Sequence, residues 1–465
     1  MFERETYVKR RNELKKKVKS GLIILVGNDN IAINYEANEY PFRQDSTFLY
    51  YVGIDKPSLI YLLDIDNDKE YLFGEEATLE DVIWMGVKPS LKHYALEVGI
   101  SRVEPIRNTY KYVEKAVKSD RKIHFLKPYR SYGVILLSEL TGKTHNEIIA
   151  GNSKELAEAI ISMRLIKSPA ELHHIKVSAS MGHFMHSIAM DMCKPGEKEI
   201  NIVGAIEAIL ITQHCRTSFP TILSTKGQIL HNHDHGGKLS FGQLMLCDAG
   251  AETVSHYASD FTRTTPVGGL YTTKQEEIYN IVLKTINESI SLARPDVTYK
   301  SIHRNAYRII FEGLRDLGIT KGDTEEALHE GAPALFMPHG LGHALGLDVH
   351  DMENLDETLV GYDETTTRDT QFGYKSLRFG RRLEPGHVLT VEPGIYFIPE
   401  LIDKWYENKI CRNFINFKKL EGYKKFGGIR LEDNIVITNE GCRHTHEDRL
   451  PITIQEVSEL ARKSE

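Results

Sequence analysis

Cysteine is scarce in this 465-residue chain: Cys193, Cys215, Cys247, Cys411 and Cys442 are an odd number, set far apart, with no C-x-x-C among them. That argues against a disulfide framework and fits a chain kept reduced, so a cytoplasmic location is expected. No apolar run approaches the roughly 18 residues that a membrane span needs. The longest, residues 21–27, has strand length and follows a charged segment, which suits neither a signal peptide nor a membrane partner. Surplus basic charge is missing as well: 58 Lys+Arg against 65 Asp+Glu leave a net charge of −7, so nucleic acid is not an expected partner. The one basic run, Lys9-Arg10-Arg11 through Lys15-Lys16-Lys17 to Lys19, reads as the solvated face of an N-terminal helix.

What is present is ordinary for a globular protein, with 41% hydrophobic and 26% charged residues. Single cores seldom grow past about 250–300 residues, so two domains are expected. Apolar runs at 21–26, 58–63 and 132–137, separated by helical stretches, predict an α/β domain over 1–165. Next comes a sharp helix start: Ser168 as cap, Pro169 where its missing N–H costs nothing, and Glu171 completing S-x-x-E. Met181, Phe184, Met185 and Ile188 follow at helical spacing. The second domain, 166–465, is predicted as α+β, with helices over 274–292 and 302–317 and strands at 244–247, 388–391 and 429–437.

Those strand-like runs carry acidic residues where a buried strand should not want them. Cys247-Asp248-Ala249-Gly250 leads on to Ser259-Asp260-Phe261-Thr262-Arg263-Thr264; the others are Val391-Glu392-Pro393-Gly394 and Gly428-Ile429-Arg430-Leu431-Glu432-Asp433. A lone carboxylate in an apolar run costs several kcal/mol unless it is paired or metal-bound. Singly, each could be a strand-end acid in solvent or paired with Arg263 or Arg430. Together they point elsewhere, because Pro338-His339-Gly340-Leu341-Gly342-His343, continuing to His350, lies between them and adds three histidines. Carboxylates with imidazole form an oxygen-rich set that suits Mn²⁺ or Co²⁺ and is unlike a thiolate zinc site. Four carboxylates balance two divalent ions, so metal-assisted hydrolysis is the expected chemistry. His233 and His235 read as part of a polar turn.

These motifs resemble the proline-specific pita-bread metallopeptidases, the aminopeptidase P and prolidase family. Phe42-Arg43-Gln44-Asp45-Ser46 through Gly53, with Trp84-Met85-Gly86, resembles that branch's N-terminal domain, so the likeness spans nearly the whole chain. It implies an α/β N-terminal domain followed by an α+β pita-bread catalytic domain. It further implies two divalent metal ions, Mn²⁺ by family habit with Co²⁺ or Zn²⁺ as alternatives, held by Asp248, Asp260, His343, Glu392 and Glu432. Glu392 would also handle the proton of the attacking water. His231 and His350 would contact substrate and stabilise the tetrahedral intermediate, His339 would line the pocket, and Arg430 would be a charge partner. The substrate implied is a proline-containing peptide, and the assembly a homodimer or homotetramer. One departure is the 12-residue step from Asp248 to Asp260, one longer than the family pattern, which a bulge or a longer turn through Val254-Ser255-His256 would absorb.

Two activities fit, both cutting the bond before proline. A strict Xaa-Pro dipeptidase must hold a carboxylate directly after proline, which suits arginine, and Arg378 stands where a prolidase arginine would fall. The N-terminal motif resembles Xaa-Pro aminopeptidases at least as well, and the reading leans to that activity. A metal-free binding protein of the same fold is the remaining alternative.

Overall fold

The computed structural model describes residues 2–462 and divides into two compact units. One holds the described residues up to Arg164 together with Asn354–Asp356, the other Leu165–Glu353 and the residues from Glu357 onward.

The first unit is built on a five-stranded sheet in the order Val103–Glu104, Lys69–Phe73, Ile60–Asp64, Leu22–Val26, Ile123–His124. The three central strands are antiparallel and each outer strand runs parallel to its neighbour. Leu22, Ile24, Ile60, Leu62 and Phe73 face a core shared with Val113 and Ala116 of helix Thr109–Lys118 and Leu137 and Leu140 of helix Ser131–Thr141. The run at 132–137, expected as a strand, therefore lies inside a helix. Its buried residues Gly133, Leu137, Leu140 and Thr141 recur at helical spacing, which so short an apolar run does not reveal by itself. The basic run does form a helix, Arg4–Val18, yet two of its cations are structural rather than solvated. Arg10 donates to the Tyr50 carbonyl, and Arg11 donates to Glu70 and to the carbonyls of Tyr51 and Val98.

In the second unit the Ser168 hydroxyl accepts from the Glu171 N–H while the Glu171 carboxylate takes the Ser168 N–H, starting helix Pro169–Asp191. This helix and Glu199–Thr212 bury Met185, Ala189, Ile202 and Ile206 against Met245 and Cys247 of strand Leu244–Ala249. Phe184, on the expected stripe, is exposed instead. Strand Leu244–Ala249 lies antiparallel between Ile222–Ser224 and Phe261–Pro266. A second antiparallel sheet pairs Val388–Val391 with Asp433–Ile437, and Gly394–Tyr396 pairs with Gly428–Arg430. Helix Thr273–Leu292 packs on these strands, and helix Tyr299–Asp316 packs on that helix. The run 429–437, expected as one strand, is thus two, interrupted at Leu431-Glu432. Among the described residues no helix is long and apolar enough to cross a membrane.

Candidate metal centre

The hairpin of the two aspartates sets the first wall of the site. Its register is unbroken from Leu244↔Pro266 through Asp248↔Thr262 to the bridge Glu252↔Ala258. The long step between the aspartates is therefore taken up in the turn from Thr253 to Tyr257, where His256 adopts a left-handed conformation (φ 65°), and not by a bulge. Continuing that register sets Asp260 opposite Gly250, so Asp248, Thr262 and Asp260 share one face. A side chain at Gly250 would be driven into the Ser259 carbonyl, 1.8 Å from its Cβ, which is why this position is glycine.

The other ligand candidates arrive from three loops. Glu432 follows strand Gly428–Arg430 and pairs with Thr262, whose hydroxyl donates to Glu432 Oε2 at 2.8 Å. Glu392 follows Val388–Val391, its N–H bonded to the Leu341 carbonyl. The Thr390 N–H donates to the His343 carbonyl and the Thr390 hydroxyl accepts the His343 N–H, and this strand approaches so closely that a Cβ at Gly342 would sit 2.1 Å from the Thr390 carbonyl oxygen. With His343 Nδ1 beside the Ala344 carbonyl, Nε2 is left for a ligand; it lies 3.4 Å from Asp260 Oδ2 and 3.8 Å from Glu392 Oε1.

The electrostatics call for a cation. Asp248 Oδ1, Asp260 Oδ1 and Glu432 Oε1 are buried without a hydrogen-bond partner, a costly state for carboxylate oxygens. Burial, then the neighbouring carboxylates, hold Asp260 and Glu432 well above the ordinary carboxylate range, and the same causes lift Glu392 to about 7. One ligand atom each from Asp260, His343 and Glu432 lies within 4.8 Å of the others, close enough to share an ion. Such donors fit a divalent cation with oxygen and imidazole ligands.

All ten residues singled out from the sequence line one cavity of about 420 Å³: His231, Asp248, Asp260, His339, His343, His350, Arg378, Glu392, Arg430 and Glu432. His350 stacks on His343 at 3.9 Å, its Nδ1 3.0 Å from Glu353. Arg430 donates to Asp248 Oδ2 at 2.6 Å and to the Tyr396 hydroxyl at 2.9 Å. Tyr396 in turn lies 2.9 Å from His339 Nε2, and His339 Nδ1 meets the Gly340 carbonyl, so both of that ring's nitrogens are engaged inside the wall. His231 has the most open position of the four histidines. His233 and His235, expected in a polar turn, follow the turn at 227–231 in irregular chain, Nδ1 of each against the carbonyls of Thr221 and Leu223 respectively, and His233 also reaches the cavity. The apolar wall of Phe219, Pro220 and Ile222 was not apparent from sequence, nor were Tyr396 and Glu353. Tyr396 carries a readable signal, two residues past the Val391-Glu392-Pro393-Gly394 motif on a strand facing Arg430; Glu353 carries none.

Comparison with known proteins places this site in a context. The profile of metallopeptidase family M24 matches residues 173–439 and that of the aminopeptidase P N-terminal domain residues 7–124. The Xaa-Pro aminopeptidase of Escherichia coli K12 is 31% identical over 451 residues, covering 95% of this chain and 94% of the relative. The Xaa-Pro dipeptidase of Homo sapiens is 31% identical over 432 residues, covering 90% and 83%. Zinc-substituted E. coli aminopeptidase P in complex with product superposes with a TM-score of 0.81 at 28% identity, over the whole of both chains.

Proposed function

Since the chain belongs to metallopeptidase family M24, with an aminopeptidase P N-terminal domain ahead of its pita-bread catalytic domain, we propose that it is a metallo-exopeptidase hydrolysing the N-terminal Xaa-Pro bond of peptides. The observation that carries this is the set of buried carboxylate oxygens without partners on Asp248, Asp260 and Glu432, residues that line one cavity together with His343, to which Asp260 and Glu432 lie close. Asp248, Asp260, His343, Glu392 and Glu432 would hold two divalent cations, Mn²⁺ as the working metal. Bound there, such ions acidify water and polarise a carbonyl.

The chain's own groups supply the rest. Glu392, with a side chain 20% exposed against 8% for Asp260, is the carboxylate most open to the cavity and so the one suited to take up a proton and pass it on. Glu353 occupies Nδ1 of His350 and leaves Nε2 as the nitrogen available to substrate. His231 offers a second imidazole from the opposite loop. Arg430, locked by Asp248 and Tyr396, holds positive charge beside the ligand set and turns the Tyr396 hydroxyl towards His339. The apolar wall of Phe219, Pro220 and Ile222 suits a pyrrolidine ring.

The dipeptidase reading is supported by Arg378 on the cavity wall and by the likeness to the human Xaa-Pro dipeptidase. Oligomerisation is proposed from the helix Leu79–Met85, which buries none of its side chains and leaves Trp84 76% exposed beside Ile83, Met85 and Val87. A second copy of the chain is the cover we assign to it.

The test is release of the first residue from an Xaa-Pro-Xaa-Xaa peptide after chelation and after return of Mn²⁺, Co²⁺ or Zn²⁺. Activity should vanish with chelator and return best with Mn²⁺. Chelator-insensitive hydrolysis would sink the metallopeptidase reading, and highest activity with Zn²⁺ would sink the choice of metal.

A further inference from the structure

Neither arginine on the cavity wall carries a free charge. Arg430 is spent on Asp248 and Tyr396. Arg378 Nη1 donates to Glu353 at 2.7 Å and to Glu357 at 3.3 Å. Glu357 also contacts Arg368, so two carboxylates meet two guanidinium groups and the cluster is formally neutral. The Glu353 side chain is 17% exposed and that of Arg378 40%, so the pair is partly shielded from solvent.

We infer that Glu353 sets the length preference of the site: by neutralising Arg378 it disfavours Xaa-Pro dipeptides, whose free carboxylate follows proline directly, and favours peptides that continue past proline. This rests on the Xaa-Pro reading above and adds a specificity residue to it. Glu353 and Glu357 both take Nη1, so a dipeptide carboxylate at the remaining N–H groups of Arg378 shares one guanidinium with two acids and brings like charges side by side in a partly buried place. A peptide that continues presents an uncharged amide there and meets no such repulsion. Glu353 does not meet the scissile bond; it acts through Arg378 on the carboxylate and through Nδ1 on the orientation of His350.

The experiment compares metal-loaded wild type and Glu353→Gln on Xaa-Pro and on Xaa-Pro-Xaa-Xaa, with inhibition constants for Xaa-Pro and its uncharged amide as a readout independent of turnover. Glutamine keeps an acceptor for His350 Nδ1 and removes the charge. The ratio of kcat/KM for dipeptide over tetrapeptide should rise about tenfold, or about 1.4 kcal/mol, through a lower KM for the dipeptide. Adding Arg378→Met should cancel that rise. Glu357→Gln, which leaves His350 untouched, should shift the inhibition ratio the same way by less. Unchanged ratios in both glutamine variants, or a wild type that prefers the free dipeptide, would overturn the role of Glu353. A wild type that releases nothing from either substrate under any metal would instead overturn the Xaa-Pro reading.

Discussion

Glu432 and Asp433 are neighbours in the chain and equally buried, yet their carboxylates meet opposite surroundings. Burial alone would raise Asp433, but Arg263 and Arg449, donating at 2.6 and 2.7 Å, more than offset it and hold the group well below the ordinary range. Glu432 faces the other way, where burial and the charges of Asp260, Glu392 and Asp248 push it well above that range. The opposing strand repeats the division, Thr262 donating to Glu432 and Arg263 to Asp433. Alternation of side chains lets two adjacent acids serve two faces of one sheet. Asp433 has its counter-charges in the chain, whereas Glu432 meets only the Thr262 hydroxyl and other carboxylates, which leaves its charge to be balanced from outside.

Breaking each side should have different consequences. Glu432→Ala should cost more activity than the roughly 100-fold typical of losing a ligand's hydrogen-bond partner, while the metal-free protein melts no lower than wild type because a repelled charge has gone. Steady-state kinetics and a melting curve check both halves; near-wild-type turnover would contradict the assignment. Asp433→Ala should do the reverse. It leaves Arg263 buried without a counter-charge and should destabilise the fold by about 3–5 kcal/mol, read by denaturant titration, while metal binding at stable temperature persists.

A smaller, pH-dependent effect sharpens the contrast with a buried group that must stay neutral. His387 Nδ1 accepts the Glu384 N–H, and burial, with Lys167 and Arg381 nearby, pushes the ring down to about 3. The unfolded chain protonates histidine near the ordinary value of about 6.5, so it binds the proton first. This contribution to stability is therefore complete above that pH and is lost as pH falls towards 3. His387→Gln should flatten the acid side of a melting-temperature profile; an unchanged slope there would show that His387 titrates freely.

The same contrast explains what could be read from the sequence. The segments holding Asp248, Asp260, Glu392 and Glu432 stood out because acids inside apolar runs need a reason, while His343 was separated from His339 and His350 only by the family resemblance. The break at Leu431-Glu432 was not legible, since the alternation of an apolar run does not show where pairing passes from one partner strand to another. Arg10 and Arg11 looked like the lysines beside them; only the arrival of the Tyr50, Tyr51 and Val98 carbonyls makes them structural. Glu353 was invisible for the same reason, because its meaning depends on Arg378 reaching it from a segment distant in the sequence. Local patterns revealed groups that violate a burial rule, and long-range contacts decided the roles of those that obey one.

The most direct test of the central claim counts metal. Dialysed wild-type protein loaded with Mn²⁺ is expected to retain two equivalents per chain by elemental analysis, and Glu432→Ala fewer than two with the fold intact by circular dichroism. Two equivalents retained in the variant, or none in the wild type, would contradict a dinuclear centre built on these carboxylates.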